Sequence, residues 1–218
     1  MLVSHRHRFI YTKTKKTAGT SVEAYFEPYC MAENTWSASH AREQSVSAAG
    51  IVGQRGQVKP EHQWWNHMPA QLIRQQLGEA IWSNYYKFCV VRNPFEKVVS
   101  MFFFDQRRGL IEKVSPGQAA AAFEHWVLTS ALPVDREMYL IDGEICMDAL
   151  VRHEQIETDL EAVCRHLRVA WNPQALPTYK TGIRPEWASV AALYTEPARQ
   201  KVADTFAFEL ETFGYRFG

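Results

Sequence analysis

Long hydrophobic runs are missing from this chain. No stretch of its 218 residues approaches the roughly 20 consecutive apolar positions a bilayer-crossing helix requires. Met1 to Arg8 is basic, but no apolar core follows it, so it does not read as a secretory leader. Cys30, Cys89, Cys146 and Cys164 lie far apart without a Cys-x-x-Cys pair, which argues against a disulfide framework and a zinc ribbon. Cys89, inside an apolar run, is expected to pack as a small hydrophobe. Charge of one sign is also lacking. Lys plus Arg and Asp plus Glu both total 24, whereas a nucleic-acid footprint normally shows a basic excess. His62 and His67 are five apart, which misses the spacing that aligns two ligands on one helix face, and no metal is expected. Gly-Lys-Ser/Thr, the magnesium-binding end of the kinase and GTPase phosphate loop, occurs nowhere. Repeats and low-complexity tracts are absent. The expectation is one disulfide-free, cytoplasmic domain over residues 1–218.

What is present starts with 46% hydrophobic and 13% aromatic residues, enough for a packed core. The chain turns on Phe9 to Glu23. A β-prone run enters, Lys16 and small hydroxyl residues form the bend, and a helix over Thr20–Phe26 leaves it. N–H groups at a helix start lack intrahelical partners, and the helix dipole adds partial positive charge, so the bend is an anion cradle. Lys16 adds a mobile charge, and Thr20 and Ser21 add hydroxyl donors. The plain alternative is a basic surface turn. A second stretch, Lys87 to Arg92, reads as a buried strand ending in a charge. Asn93-Pro94 stops it, and a helix follows to Gln106 with Ser100 two turns along. Arg92 and Ser100 could meet one phosphate, as fork and hydroxyl. The competing reading is a salt bridge at the strand end and a solvated serine.

Lys16-Thr17-Ala18-Gly19-Thr20-Ser21 resembles the 5′-phosphosulfate loop of sulfotransferases that use 3′-phosphoadenosine 5′-phosphosulfate (PAPS). Val91-Arg92-Asn93-Pro94 with Ser100 resembles their 3′-phosphate motif, and Val151 to Glu154 and Phe213 to Phe217 extend the likeness. The carbohydrate branch, with heparan sulfate 2-O-sulfotransferases and small bacterial enzymes, is the nearest in pattern. The resemblance implies a P-loop nucleotide-binding-like α/β fold with a central parallel sheet of four or five strands flanked by helices. It implies PAPS as donor and a hydroxyl acceptor, an oligosaccharide or glycolipid. It further implies that Lys16, Thr17, Gly19, Thr20 and Ser21 hold the 5′ end, that Arg92 and Ser100 hold the 3′ phosphate, and that Lys180, Gly182 and Arg184 form a late loop over the nucleotide. Related 2-O-sulfotransferases place a catalytic histidine between the two motifs, where His67 stands. An imidazole suits proton transfer near neutrality. His62, Glu61, Asp105 and Glu154 are the other candidate bases, and a His67 satisfied by backbone near Met68-Pro69 is the plain reading. A small-molecule kinase and a non-catalytic adenosine-bisphosphate sensor are the alternative functions.

Elsewhere the pattern predicts strands alternating with helices, hence a parallel sheet. Residues 31–60 read as a long excursion with a short helix and loops. Trp64-Trp65 reads as cleft wall or as core. An Asp142-Gly143 hairpin turn, a helix over Glu154–Leu167 and a final helix over Glu196–Phe213 complete the reading. Lys13 and Lys15 are expected to be solvated, as are Arg107 and Arg108.

Overall fold

A computed structural model describes residues 1–179 and 182–218. In chain order its elements are β1 (Leu2–Ser4), β2 (Phe9–Thr12), α1 (Gly19–Phe26), β3 (Ser45–Ser47), β4 (Gly50–Val52), α2 (Ala70–Leu77), α3 (Glu79–Asn84) and β5 (Tyr86–Val91). Then come α4 (Pro94–Arg107), α5 (Ala119–Thr129), β6 (Leu140–Ile141), β7 (Glu144–Ile145), β8 (Ala149–Arg152) and α6 (Ile156–Leu167). α7 (Val190–Leu193), α8 (Glu196–Thr205) and α9 (Ala207–Phe213) follow. Two compact units result: Met1–Val91 with Asp135–Tyr179, and Arg92–Val134 with the described residues after Tyr179.

The first unit carries a six-stranded sheet in the order β3-β4-β1-β2-β5-β8. This corrects the expected parallel sheet of four or five strands. β2 and β8 do flank β5 in parallel, with Tyr11 opposite Phe88 and Val90 opposite Val151. The pairings β1–β2, β1–β4 and β3–β4 are antiparallel, so the sheet is mixed and mostly antiparallel. Two local features hid that half. Leu2 and Val3 are fully buried, but the basic turn beside them masks so short a strand. In that turn Ser4 Oγ accepts from the His7 N–H at 3.2 Å, and Arg8 adopts φ 52°. In the stretch 31–60 the regular structure is the β3–β4 hairpin and not the expected helix. Its strands are three residues each, too brief to show alternation.

Alternation along β2 and β5 sends Phe9, Tyr11, Phe88 and Val90 to one face. There they form a core with Val22 and Phe26 of α1 and Leu160, Val163 and Cys164 of α6. The Phe26 ring meets Phe9 at 5.6 Å and Phe88 at 5.2 Å, edge-on. Removing that ring would cost about 3–5 kcal/mol, since nothing else fills the volume between helix and sheet. α6 follows the expected helical spacing, burying Leu160, Val163, Cys164 and Leu167 on one stripe. The β6–β7 hairpin turns through Asp142 at φ 53° and Gly143 at φ 84°, the two positive values a type I′ turn demands. Trp64 is core, and Trp65 is half-buried. Cys89 is fully buried, and all four cysteines are free thiols.

In the second unit α4 starts at Pro94, with Asn93 Oδ1 accepting from the Phe95 N–H at 3.0 Å. Its apolar side, with Val98, Val99, Phe102 and Phe103, packs with Phe123 and Trp126 of α5 and with Val202 and Phe206. The expected single final helix is broken at Phe206 into α8 and α9. No glycine or proline marks the break; Phe206 leaves the helical backbone (φ −110°, ψ 25°) with its ring fully buried.

Candidate functional site

β2 ends at Thr12 and α1 begins at Gly19, and the six residues between form the loop. Thr14 Oγ1 donates to the Val90 carbonyl, tying the loop to β5. Asp135 Oδ2 accepts from the Lys15 N–H at 2.6 Å. Lys16 and Ala18 both take left-handed backbone, φ 59° and 57°, and fold the chain into a tight reversal. Ala18 is the N-terminal cap of α1 and is exposed. Its carbonyl accepts from Ser21 and Val22 N–H at 2.9 and 3.2 Å, while a helix start leaves its earliest N–H groups without intrahelical partners. The first turn of α1 carries no acidic residue. Half-buried Lys16 beside this helix start makes a donor set suited to a phosphate or sulfate group.

The other predicted loop residues have defined partners. Thr17 Oγ1 lies 2.8 Å from Thr14 Oγ1 and is fully buried, so its hydroxyl faces into the loop. Thr20 Oγ1 accepts from Lys13 Nζ at 3.3 Å and Ser21 Oγ from the Tyr179 N–H at 3.2 Å. Each hydroxyl keeps its own proton to donate. Gly19 has a reason of its own: a Cβ there would lie 2.8 Å from Lys13 Cγ, so its bare backbone makes room for the lysine stem.

Lys13 corrects the expectation of a solvated side chain. It is 4% exposed, and its Nζ lies 2.6 Å from Glu23 Oε2. The Met1 amine lies 2.7 Å from Glu23 Oε1, and Arg55 Nη1 lies 3.1 Å from Oε2. Arg55 also pairs with Glu27, which Arg42 meets at 2.9 Å. Burial alone would raise the Glu23 pKa; Lys13, the amine and Arg55 outweigh it and hold the carboxyl well below its usual range. Burial also lowers the Lys13 pKa, with Glu23 opposing. Sequence reasoning missed this cluster because its members are distant in the chain. The available signal was Glu23, a charge flanked by Val22 and Ala24 in a helix that is buried all round.

His67 is carried to the loop by Lys13. Its Nδ1 lies 3.0 Å from the Lys13 carbonyl oxygen. A carbonyl only accepts, so Nδ1 bears the proton and Nε2 keeps its lone pair. His67 takes φ 55°, and Asn66 just before it donates its N–H to the Gln54 carbonyl at 2.8 Å. Burial first, then the positive charge of Lys13 and the amine, lower its pKa to about 3, so the imidazole is neutral at pH 7. Its backbone partner is thus in the loop and not in the Met68-Pro69 turn. Among the other candidate bases, His62 Nδ1 accepts from the Lys59 N–H at 2.9 Å within a local turn, and Glu61 and Glu154 are exposed. Asp105 is half-buried on α4.

In the second unit, Arg92 Nη2 lies 3.4 Å from Glu96 Oε2, and Arg184 Nη1 pairs with the same oxygen. Two arginines predicted from separate stretches therefore converge on one carboxylate. Ser100 stands four residues past Glu96, on the same stripe of α4, and is half-buried. Gly182 takes φ 69° with open space where a side chain would be. Lys180 lies outside the described residues. Arg107 and Arg108 are exposed, as expected.

A family model described as "Sulfotransferase family" matches residues 1–216. The chain belongs to the sulfotransferase family. A 40-residue stretch of this family member is 42% identical to an uncharacterized protein of Archaeoglobus fulgidus. The match covers 18% of the chain and only 33% of that relative's length. No solved structure matches it. Among the described residues, no helix of this sulfotransferase-family chain is long and apolar enough to cross a membrane.

Proposed function

We propose that the chain is a sulfotransferase that moves a sulfuryl group from PAPS to a hydroxyl, most simply on a carbohydrate, and that residues 1–218 act as one domain. The observation that carries this reading is the family match over residues 1–216. The donor set supports the choice of PAPS. Lys16 stands beside a helix start free of acidic residues, and the Arg92–Glu96–Arg184 group is half-buried and rich in guanidinium. PAPS supplies the activated sulfuryl group and a phosphate leaving group.

On this proposal Lys16 stabilises charge developing on the leaving oxygen and the sulfonate, often the largest contribution to such catalysis. Gly19, Thr20 and Ser21 line the 5′ phosphate, with Thr17 holding the loop's shape; Arg92 and Ser100 hold the 3′ phosphate, with Gly182 and Arg184 beside it. His67 Nε2 takes the acceptor's proton. An imidazole with a pKa of about 3 is a weak base, though always in its accepting state at pH 7. The cations that depress it are the ones an anionic donor would offset, so binding of the donor raises its basicity. The four free thiols fit a reducing compartment, and we propose the cytoplasm.

The test is calorimetry with 3′,5′-adenosine bisphosphate and ATP, followed by turnover with PAPS on a panel of glycans. The bisphosphate should bind in preference to ATP, and Lys16→Ala should lower kcat by about 10²–10³. ATP preference would overturn the donor assignment. Full turnover in His67→Ala would remove the base and leave the donor standing.

A further inference from the structure

The phosphate loop follows the carboxyl end of β2. At the other end of the parallel strands, about 13 Å away along a four-residue strand, is a cavity of about 350 Å³. Arg8, Tyr86 and Asp148 on its wall are the residues that begin or immediately precede β2, β5 and β8. His166 and Arg168, at the end of α6, form another side. Every lining residue belongs to the first unit.

The charges of this cavity do not cancel. Its one carboxylate, Asp148, is engaged by Lys87, with Nζ at 2.8 Å and the Lys87 N–H at 2.7 Å. Arg8 and Arg168 are exposed, and neither guanidinium meets a carboxylate among the described residues. Both also stand where glycine would be easier, at φ 52° and 56°. The Arg8 carbonyl accepts from the Tyr86 N–H at 2.8 Å, and the Arg168 N–H closes the end of α6 on Arg165. Only backbone is used in those bonds, so the turns do not need the arginine side chains. Beside them the Tyr86 and His166 rings stack, centroids 3.9 Å apart and planes 24° from parallel, with His166 exposed.

We propose that this cavity is a second anion site, which takes a sugar sulfate or phosphate monoester. The ester group lies between Arg8 and Arg168, and the sugar ring rests against His166 and Tyr86, since guanidinium forks suit tetrahedral oxyanions and ring faces suit a pyranose. Two strained positions both occupied by arginine, at the rim of one cavity, are explained by a ligand and not by the fold.

The probes are glucose 6-sulfate, glucose 6-phosphate and glucose, followed by NMR of the His7 and His166 imidazoles in the intact chain. Either ester or both should move these signals at millimolar concentration, and glucose should not. The ester that binds more tightly identifies the oxyanion recognised. An Arg8→Gly/Arg168→Gly variant should bind at least tenfold more weakly while melting at or above the wild-type temperature, because glycine relaxes both turns. Lys16→Ala should bind as wild type, which separates this cavity from the phosphate loop and from the donor assignment. Equal shifts with glucose, no shift with either ester, unchanged binding in the arginine variant, or loss of binding in Lys16→Ala would each overturn the proposal. A lowered melting temperature in the arginine variant would do so too, by assigning the arginines to the scaffold.

Discussion

Glu23 and Glu96 are both gripped by more than one cation, and the two clusters do opposite work. Glu23 and its partners Lys13 and Arg55 have side chains no more than 5% exposed. Glu96 and its partners Arg92 and Arg184 are 29%, 15% and 27% exposed. Charges that deep cannot be re-solvated when a partner leaves, so the first cluster is a fixed part of the scaffold. Arginines left partly in water can exchange one carboxylate for another anion at small cost. Burial, not the number of ion pairs, separates a structural cluster from one able to take a ligand.

The largest expected effect breaks the buried cluster. Glu23→Ala strands Lys13 and the Met1 amine, while Arg55 keeps Glu27, and should destabilise the chain by about 3–5 kcal/mol in denaturant unfolding at pH 7. A loss below about 1 kcal/mol would mean the cluster is hydrated and the contrast is false. Acid should act in the same direction. His67 has a folded pKa, about 3, below its unfolded value near 6.5. Its contribution is therefore complete above pH 6.5 and is lost as pH falls toward 3, at up to about 1.4 kcal/mol per pH unit. Glu23, also depressed, adds a loss that begins below about pH 4.5. Stability that stays flat between pH 7 and 4 in denaturant titrations would contradict the His67 contribution, and no further loss below pH 4 would contradict that of Glu23.

On the half-exposed side, Arg92→Ala should weaken 3′,5′-adenosine bisphosphate by about 10–100-fold, the worth of charged hydrogen bonds, with little change in melting. Unchanged affinity would remove Arg92 from the proposed 3′-phosphate site. Lys13→Met should raise the His67 pKa, read by imidazole NMR, because a cation that disfavours imidazolium is gone. An unmoved His67 would show that Lys13 has no part in setting its pKa. The smallest effect should be Glu96→Gln, within about 1 kcal/mol of wild type by thermal melting.

Much of the local structure was legible. The β2–loop–α1 unit, the Asn93-Pro94 helix start, the Asp142-Gly143 turn and the α6 stripe follow from spacing and turn chemistry that act within a few residues. β1, β3 and β4 were not, since three-residue strands carry no readable period and exist only because partners are present. The loop residues stand in one motif, yet the burial of Lys13 is not legible from it. Its surroundings come from Glu23 ten residues on and Arg55 beyond that, and local pattern has no access to such distances.

The order of residues by itself determined a lysine- and hydroxyl-rich bend between a strand and a helix, two separate cationic motifs and enough apolar surface to fold. Tertiary structure alone decided that Lys13 is buried, that His67 is bound to its carbonyl and neutral, and that Arg8 and Arg168 share a cavity. The reason is physical. Helix starts and turns answer to neighbours in sequence, whereas the protonation and partners of a charge answer to neighbours in space and to how much water remains around them.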